Sequence, residues 1–348
     1  MKLAQFVNIK FLIARYKFLS IIYRVIVGIL ICYRRKSKIV LNEDIFNYLE
    51  ISKKTQNDNI SIIRDNNLYG IQEVFEKYIG MSFSKIFFEH GMIFGNLVTY
   101  NSKHTFAEKI VTFGNYRNQI LENHFKNEKG IIKVGPYIHY ADNLLSELDF
   151  YKLKNELGKV LLLFPSHSTK GLDDQYDIEE FINKAENKVK GTYDTKVVCL
   201  YWKDINLGKS AYYLKRGYKI TCAGYLNDSN FLSRLKLIIM LADQVVCNSI
   251  GTNIGYVTYL NKPICLIRQS HTIKSINAKS FIELNQRNTS EMLSYSEIED
   301  IIFNNFSDYH NNLTPDQTKL CSYIWGFDEI KTAHQLIELF KIENGNTD

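Results

Sequence analysis

The stretch of this chain best equipped for chemistry runs from Asp243 to Ile267, DQVVCNSIGTNIGYVTYLNKPICLI. An apolar strand, Gln244 to Cys247, leads into a turn of small residues that includes Asn248, Ser249, Gly251 and Thr252. A helical segment follows, and Asn261, Lys262 and Pro263 turn it into a second apolar strand, so the stretch reads as one βαβ unit. Gly251 lets the backbone turn sharply and approach a ligand, while Ser249 and Thr252 set hydroxyls beside the free N–H groups of a helix N-terminus. Such an end attracts phosphate, because its N–H groups and the helix dipole favour negative charge. Strand-glycine-helix turns are common in αβ proteins, and the chain contains neither GxGxxG nor GxxxxGK[ST]. Phosphate binding is therefore an expectation that the neighbouring elements have to support.

Those elements alternate helix and strand. Before Asp149 the strands fall at Ile60 to Ile63, Lys85 to Phe88, Lys109 to Phe113 and Ile131 to Val134, with helices near Ile71 to Ile79, Asn115 to Phe125 and Asp142 to Lys154. Strands separated by helices predict a mostly parallel sheet. Three of the strand ends carry polar residues: Glu89, His90 and Gly91; Gly114, Asn115 and Arg117; Gly135, His139 and Asp142. In open α/β sheets ligands bind at the carboxyl ends of the strands. A second half starts at Gly158 with KVLLLF, a continuous apolar run that suits a strand buried on both faces, followed by the loop PSHSTKG. Helix, strand, helix, strand and the helix Phe231 to Leu241 then lead to the βαβ unit. The fold class is thus α/β with two Rossmann-like domains, 43–155 and 156–348, behind an N-terminal segment of 1–42. A last helix, Thr332 to Ile342, is expected to pack back on one half or the other.

Size and charge narrow the function classes. The 348 residues suit two domains of about 150 residues each. Residues 1–42 hold nine Lys and Arg and no acid, so with a net charge of +6 the remainder is near −3. Basicity confined to one end argues against a nucleic-acid-binding body and for a segment facing an anionic surface. Lys10, Lys17 and Arg24 recur every seven residues, with Phe11, Phe18, Ile22 and Ile26 on the other side of a helix, the pattern of a basic amphipathic helix lying in a membrane interface. The longest uncharged run after Arg24 is nine residues, far short of the roughly 20 that span a bilayer. An amphipathic helix packed on the domain would show the same pattern. The six cysteines form no CxxC and read as buried thiols in a reducing cytoplasm. HExxH, GxSxG and Cys/His clusters are absent, leaving no basis for a zinc site or a serine hydrolase. Asp173, Asp174 and Asp177 read as solvated charges at the start of a helix from Ile178 rather than as metal ligands.

Two Rossmann-like halves, HG after an early strand, FPSHS opening the second half and NSIGTNIGYVTYLNKPI near its end together resemble bacterial glycosyltransferases of the GT-B type. The nearest patterns are those of CDP-glycerol glycerophosphotransferases, capsule Kdo transferases and bacterial sialyltransferases, matched as scattered short motifs over roughly 85–267. The resemblance implies that His90 is the base on an acceptor hydroxyl, a role suited to a group titrating near neutrality, with Glu89 and His139 as alternatives. It implies that His167 contacts the donor phosphate, although Ser168 stands where those families have proline. Ser166, Ser168 and Thr169 would add donors from the same loop, and Ser249, Gly251 and Thr252 would bind phosphate. An acid is usual seven residues before the proline of the NKP turn; here that position is Tyr256, and Asn253 is the available hydrogen-bonding substitute.

The implied activity is transfer of a sugar from a nucleotide-activated donor, cytidine favoured, to a lipid-linked or growing surface polysaccharide such as capsule, lipopolysaccharide or O-antigen. It needs no metal or other cofactor and no nucleic acid, and it fits a protein peripheral on the inner face of a bacterial cytoplasmic membrane. Transfer of glycerol or ribitol phosphate, nucleotide-sugar epimerisation, and a non-catalytic place in a polysaccharide assembly complex are the competing readings.

Overall fold

A computed structural model describes residues 44–53, 61, 63–169, 171–275 and 289–341. The expected helix at 1–42 and two of the four residues of the expected strand at Ile60 to Ile63 lie outside the described residues; the other two, Ser61 and Ile63, are not in a strand. Among those described, no helix is long and apolar enough to cross a membrane.

The chain is α/β, and its two larger sheets are parallel. The first comprises β1 (Ile86–Phe88), β2 (Lys109–Thr112) and β3 (Gly130–Lys133), side by side in chain order. The second is built on β4 (Val160–Phe164), whose five residues are all buried. Side chains alternate across a strand, and the two faces of β4 supply different clusters: Val160, Leu162 and Phe164 join one, Leu161 and Leu163 another. That is why the run is apolar without alternation. The chain winds outward from β4 to β6 (Thr195–Cys199) and β7 (Lys219–Thr221), then returns to the other side of β4 with β8 (Gln244–Cys247) and β9 (Ile264–Leu266). The order β7-β6-β4-β8-β9 reverses between β4 and β8, which makes a crevice at their carboxyl ends.

A small antiparallel ladder joins β5 (Leu172–Gln175) to β10 (Thr272–Ser275) outside this sheet. This corrects the sequence reading of Asp173 and Asp174 as solvated helix charges. Both lie in a strand, and Asp174 is buried; only Asp177 caps the Ile178–Lys188 helix, accepting from the Glu180 N–H at 2.9 Å.

Five helices position the site: α1 (Asn115–Phe125), α2 (Phe231–Leu241), α3 (Thr252–Tyr259), α4 (Pro315–Trp325) and α5 (Ala333–Phe340). The last two cross back from the second half. α4 lies between α3 and α1, and α5 packs on the Ile71–Ile79 helix of the first half. Trp325, fully buried, sits so close over Gly255 that a Cβ there would fall 2.2 Å from the indole. The following residue, Gly326, takes a φ of +72° and lies against both Gly114 and Gly135. A Cβ on Gly114 would come 2.4 Å from the Gly326 nitrogen, and one on Gly135 2.7 Å from its carbonyl oxygen. The crossing thus stops up the carboxyl ends of β2 and β3. A single hydrophobic cluster runs from Phe75, Phe88 and Val111 through Trp325 to Leu162 and Val245, so the two halves share a core.

Candidate functional site

Three strand ends of the first sheet carry polar residues, and only that of β1 remains open. At β2, Gly114 is packed on Gly326 and the Arg117 side chain is fully buried. At β3, His139 reaches Tyr259 at the far end of α3, Nδ1 to hydroxyl 2.6 Å. Tyr259 is seven residues beyond Thr252, about 10 Å along a helix. His139 therefore stands apart from the β1 end, and burial together with Lys236 pulls its pKa down.

Glu89 and His90 are adjacent in sequence and opposite in fate. Glu89 is 1% exposed; Arg117 donates to its carboxylate through Nε and Nη2 at 2.8–3.0 Å, and the Thr112 hydroxyl donates at 2.8 Å. A carboxylate buried and engaged in this way is closed to an acceptor, which corrects the sequence reading of Glu89 as an alternative base. His90 is 39% exposed in its side chain, with Nδ1 3.6 Å from an oxygen of Asp65. Asn101 donates to both oxygens of that carboxylate at 3.0 Å. Burial pushes the Asp65 pKa up, but His90, Asn101 and the charge of Arg64 outweigh it and hold the group below its ordinary value. The arrangement turns Nδ1 toward the carboxylate and leaves Nε2 for an incoming proton.

The second half contributes the loops after β4, β6, β8 and β9. Within PSHST, Ser166 donates its N–H to Asn248 Oδ1 at 2.6 Å, joining the two sides of the crevice, and its hydroxyl donates to Asp174. Ser168 is buried, with both its N–H and its hydroxyl on Asp204. Thr169 closes a tight turn with Leu172, and its carbonyl accepts from Lys203. Ser168 holds the loop instead of facing a donor, contrary to the sequence expectation, while Thr169 spends its backbone on the turn and, like His167, stays exposed. The His167 ring lies 4.9 Å from that of Tyr201.

After β8, the turn 248–251 enters α3 with no side chain capping the helix. The backbone N–H groups of Ser249, Ile250, Gly251, Thr252 and Asn253 find no protein acceptor among the described residues. Consecutive unengaged N–H groups at a helix start are an anion site in waiting. Two expectations change here. Gly251 has a φ of −168°, extended backbone that any residue adopts; its small size matters because a Cβ would lie 2.6 Å from Asn253 Oδ1. Asn253 itself turns back to the Cys247 sulfur at 3.4 Å, so it does not replace the missing acid, and Tyr256 points into the core.

Two links bring the halves together. The Met92 N–H, two residues past His90, donates to the Thr252 hydroxyl at 2.8 Å. The hydroxyls of Tyr69 and Tyr201 meet at 3.3 Å, with the Tyr69 ring 6.1 Å from that of His90. His90, His167 and the 249–253 turn thereby face one cleft, at the carboxyl ends of β1, β4 and β8. Sequence reasoning missed Asp65, Asn101, Tyr69, Tyr201 and His271. Of these, only His271 had a signal, being a histidine in the loop that follows β9, immediately before β10. Comparison of the chain with protein-family models and with curated proteins finds no match.

Proposed function

We propose that the protein is a glycosyltransferase that moves a sugar from a nucleotide-activated donor, cytidine favoured, onto a hydroxyl of a lipid-linked or growing surface glycan. The donor phosphate sits at the 249–253 turn, beside His167, and the acceptor approaches from the β1 side. Ser166, whose N–H and hydroxyl are engaged by Asn248 and Asp174, braces the loop instead of binding donor as the sequence suggested. His90, oriented by Asp65, takes the acceptor proton on Nε2 while the acceptor oxygen bonds to the anomeric carbon. The bond from that carbon to the phosphate oxygen breaks, and its electron pair leaves with the nucleotide. The growing charge meets fixed N–H groups, the kind of preorganised environment that contributes most to such steps. The basic 1–42 segment suits a membrane-borne acceptor at the inner face of the cytoplasmic membrane.

One observation carries this reading. The Met92–Thr252 hydrogen bond sets a carboxylate-backed histidine from one sheet beside a run of free N–H groups from another. A thermal-shift titration with CMP, CDP, UDP and GDP tests it on the wild type and on His167→Ala. A ligand at a hundred times its dissociation constant adds about 2.7 kcal/mol to stability. The expected result is a rise of a few degrees with a cytidine nucleotide that the variant reduces or loses. Stabilisation by UDP or GDP instead changes the donor class, and no stabilisation by any nucleotide overturns the reading.

A further inference from the structure

His271, immediately before β10, lies outside the catalytic constellation yet touches both sides of the crevice. Nδ1 is 3.2 Å from Asp174 Oδ1, and Nε2 is 3.1 Å from the carbonyl oxygen of Asn248. Both partners are acceptors. A neutral imidazole carries one N–H and satisfies only one of them; the imidazolium satisfies both. In a trans peptide the carbonyl and the next N–H point in opposite directions, so a ring that pulls the Asn248 carbonyl toward itself turns the Ser249 N–H away, toward the crevice. Asn248 also holds Ser166 through its side chain, so one ring sets the geometry of both loops.

We propose that His271 is a positioning residue that, as an imidazolium, clasps the 248–249 peptide and keeps the Ser249 N–H aimed at an anionic ligand. When the ring loses its proton, a lone pair faces the Asn248 carbonyl, the clasp opens, and the peptide is free to turn its carbonyl toward the anion. Anion affinity then falls as pH rises. The charged groups around the ring agree with this. Asp174 on β5 and Glu299 on the Thr289–Phe306 helix face it, Tyr176 lies 5.5 Å away ring to ring, and Lys209 and Arg268 sit beyond the two carboxylates. Burial alone lowers the pKa of His271, but Asp174, the Asn248 carbonyl and Glu299 outweigh it and raise the pKa above the ordinary value.

The inference rests on the reading of the turn as the donor's anion site, and the test separates the two. In NMR of the uniformly 15N-labelled free protein, both His271 ring nitrogens are expected to be protonated at pH 7, with the Ser249 amide shift following the ring's titration. CDP affinity is then compared between pH 7 and pH 9 in the wild type, His271→Gln and His271→Ala. The ligand phosphate, with a pKa near 6, is about 90% ionised at pH 7 and gains the remaining charge by pH 9, which would strengthen anion binding and so does not mimic the effect. The wild type is expected to lose about tenfold in affinity, the scale of one hydrogen bond to a charged group. His271→Gln keeps an N–H for the carbonyl and should bind with no pH dependence near the wild-type level, and His271→Ala should be weak at both pH values. A neutral ring at pH 7, or a Ser249 amide that ignores the ring, overturns the clasp. If the two NMR results hold while CDP and the other nucleotides fail to bind, the clasp stands and the donor reading falls.

Discussion

The carboxyl ends of β1 and β8 face the same cleft and are built in opposite ways. At β1 the chemistry is made of side chains gathered from distant places: His90 from the strand end, Asp65 from before the strand, Asn101 from a later helix. At β8 it is made of consecutive backbone N–H groups, with side chains used behind them as struts. A proton acceptor needs one tunable group in a specific setting, whereas an anion site needs several modest dipoles converging without reorganisation. The two ends should therefore fail differently when altered.

The largest effect is expected behind β1. Arg117→Met leaves the buried Glu89 carboxylate without its cation, and breaking such a pair costs about 3–5 kcal/mol. Urea unfolding measures this loss. A loss under about 1 kcal/mol would mean that Glu89 is relieved by protonation or water, and the contrast between Glu89 and its neighbour His90 would weaken. Next comes His90→Ala, which should reduce turnover about 10²- to 10⁴-fold while leaving the nucleotide-induced thermal shift in place. Asp65→Asn should give a smaller loss in turnover, since it disturbs only the orientation of the ring. Steady-state transfer assays set beside thermal shifts separate the two ends: if His90→Ala abolishes nucleotide binding instead, the two regions are one site.

The bond that ties them has its own signature. Thr252→Val removes the acceptor for the Met92 N–H and should cost about 1–3 kcal/mol by urea unfolding. It should also weaken turnover and nucleotide binding together, as no change confined to one end does.

Changing pH sharpens the comparison through opposite signs. The folded pKa of Asp65 is depressed, so its contribution is complete above the unfolded value of about 3.9 and is lost as pH falls through the folded one. The folded pKa of His271 is raised, so its contribution is complete below about 6.5 and fades as pH rises through the folded value. Stability measured from pH 3 to pH 9 should bend at both ends, with Asp65→Asn reducing the acid bend, which Asp174 and Glu186 share, and His271→Gln reducing the alkaline one, which the buried cysteines share.

This contrast also governs what the sequence made legible. The β8 turn was visible because its parts are contiguous, as were β1, β4 and the Phe231–Leu241 helix, whose apolar pattern sets their place. Asp65 and Asn101 were not visible, because 25 and 11 residues separate them from His90 and nothing local marks a carboxylate that faces a later strand. Glu89 misled for the same reason. Its neighbour is open while its own partner, Arg117, arrives from α1, beyond β2. The β5–β10 ladder escaped because LDDQ has no strand-like alternation and forms its strand only by pairing with distant Thr272–Ser275.

The smallest effect expected is at Gly251, where a sequence reading would place a large one. A glycine needed for a left-handed turn cannot be replaced without strain, but Gly251 is extended, with φ −168° and ψ 172°, and alanine adopts that conformation freely. What alanine meets is Asn253 Oδ1 at 2.6 Å. An amide at the end of a side chain can rotate away, at the cost of its weak bond to the Cys247 sulfur, so Gly251→Ala should destabilise by less than about 1 kcal/mol. The displaced amide then decides the binding result. Left over the turn, it adds a polar group among the free N–H donors; swung out, it leaves them unchanged. Since β8 presents backbone donors, nucleotide affinity in Gly251→Ala should stay within about threefold of wild type by calorimetry, the scale of a shift under 1 kcal/mol. A much larger loss would mean that ligand and Cβ compete for the same space, and that the anion approaches Gly251 more closely than the other residues of the turn.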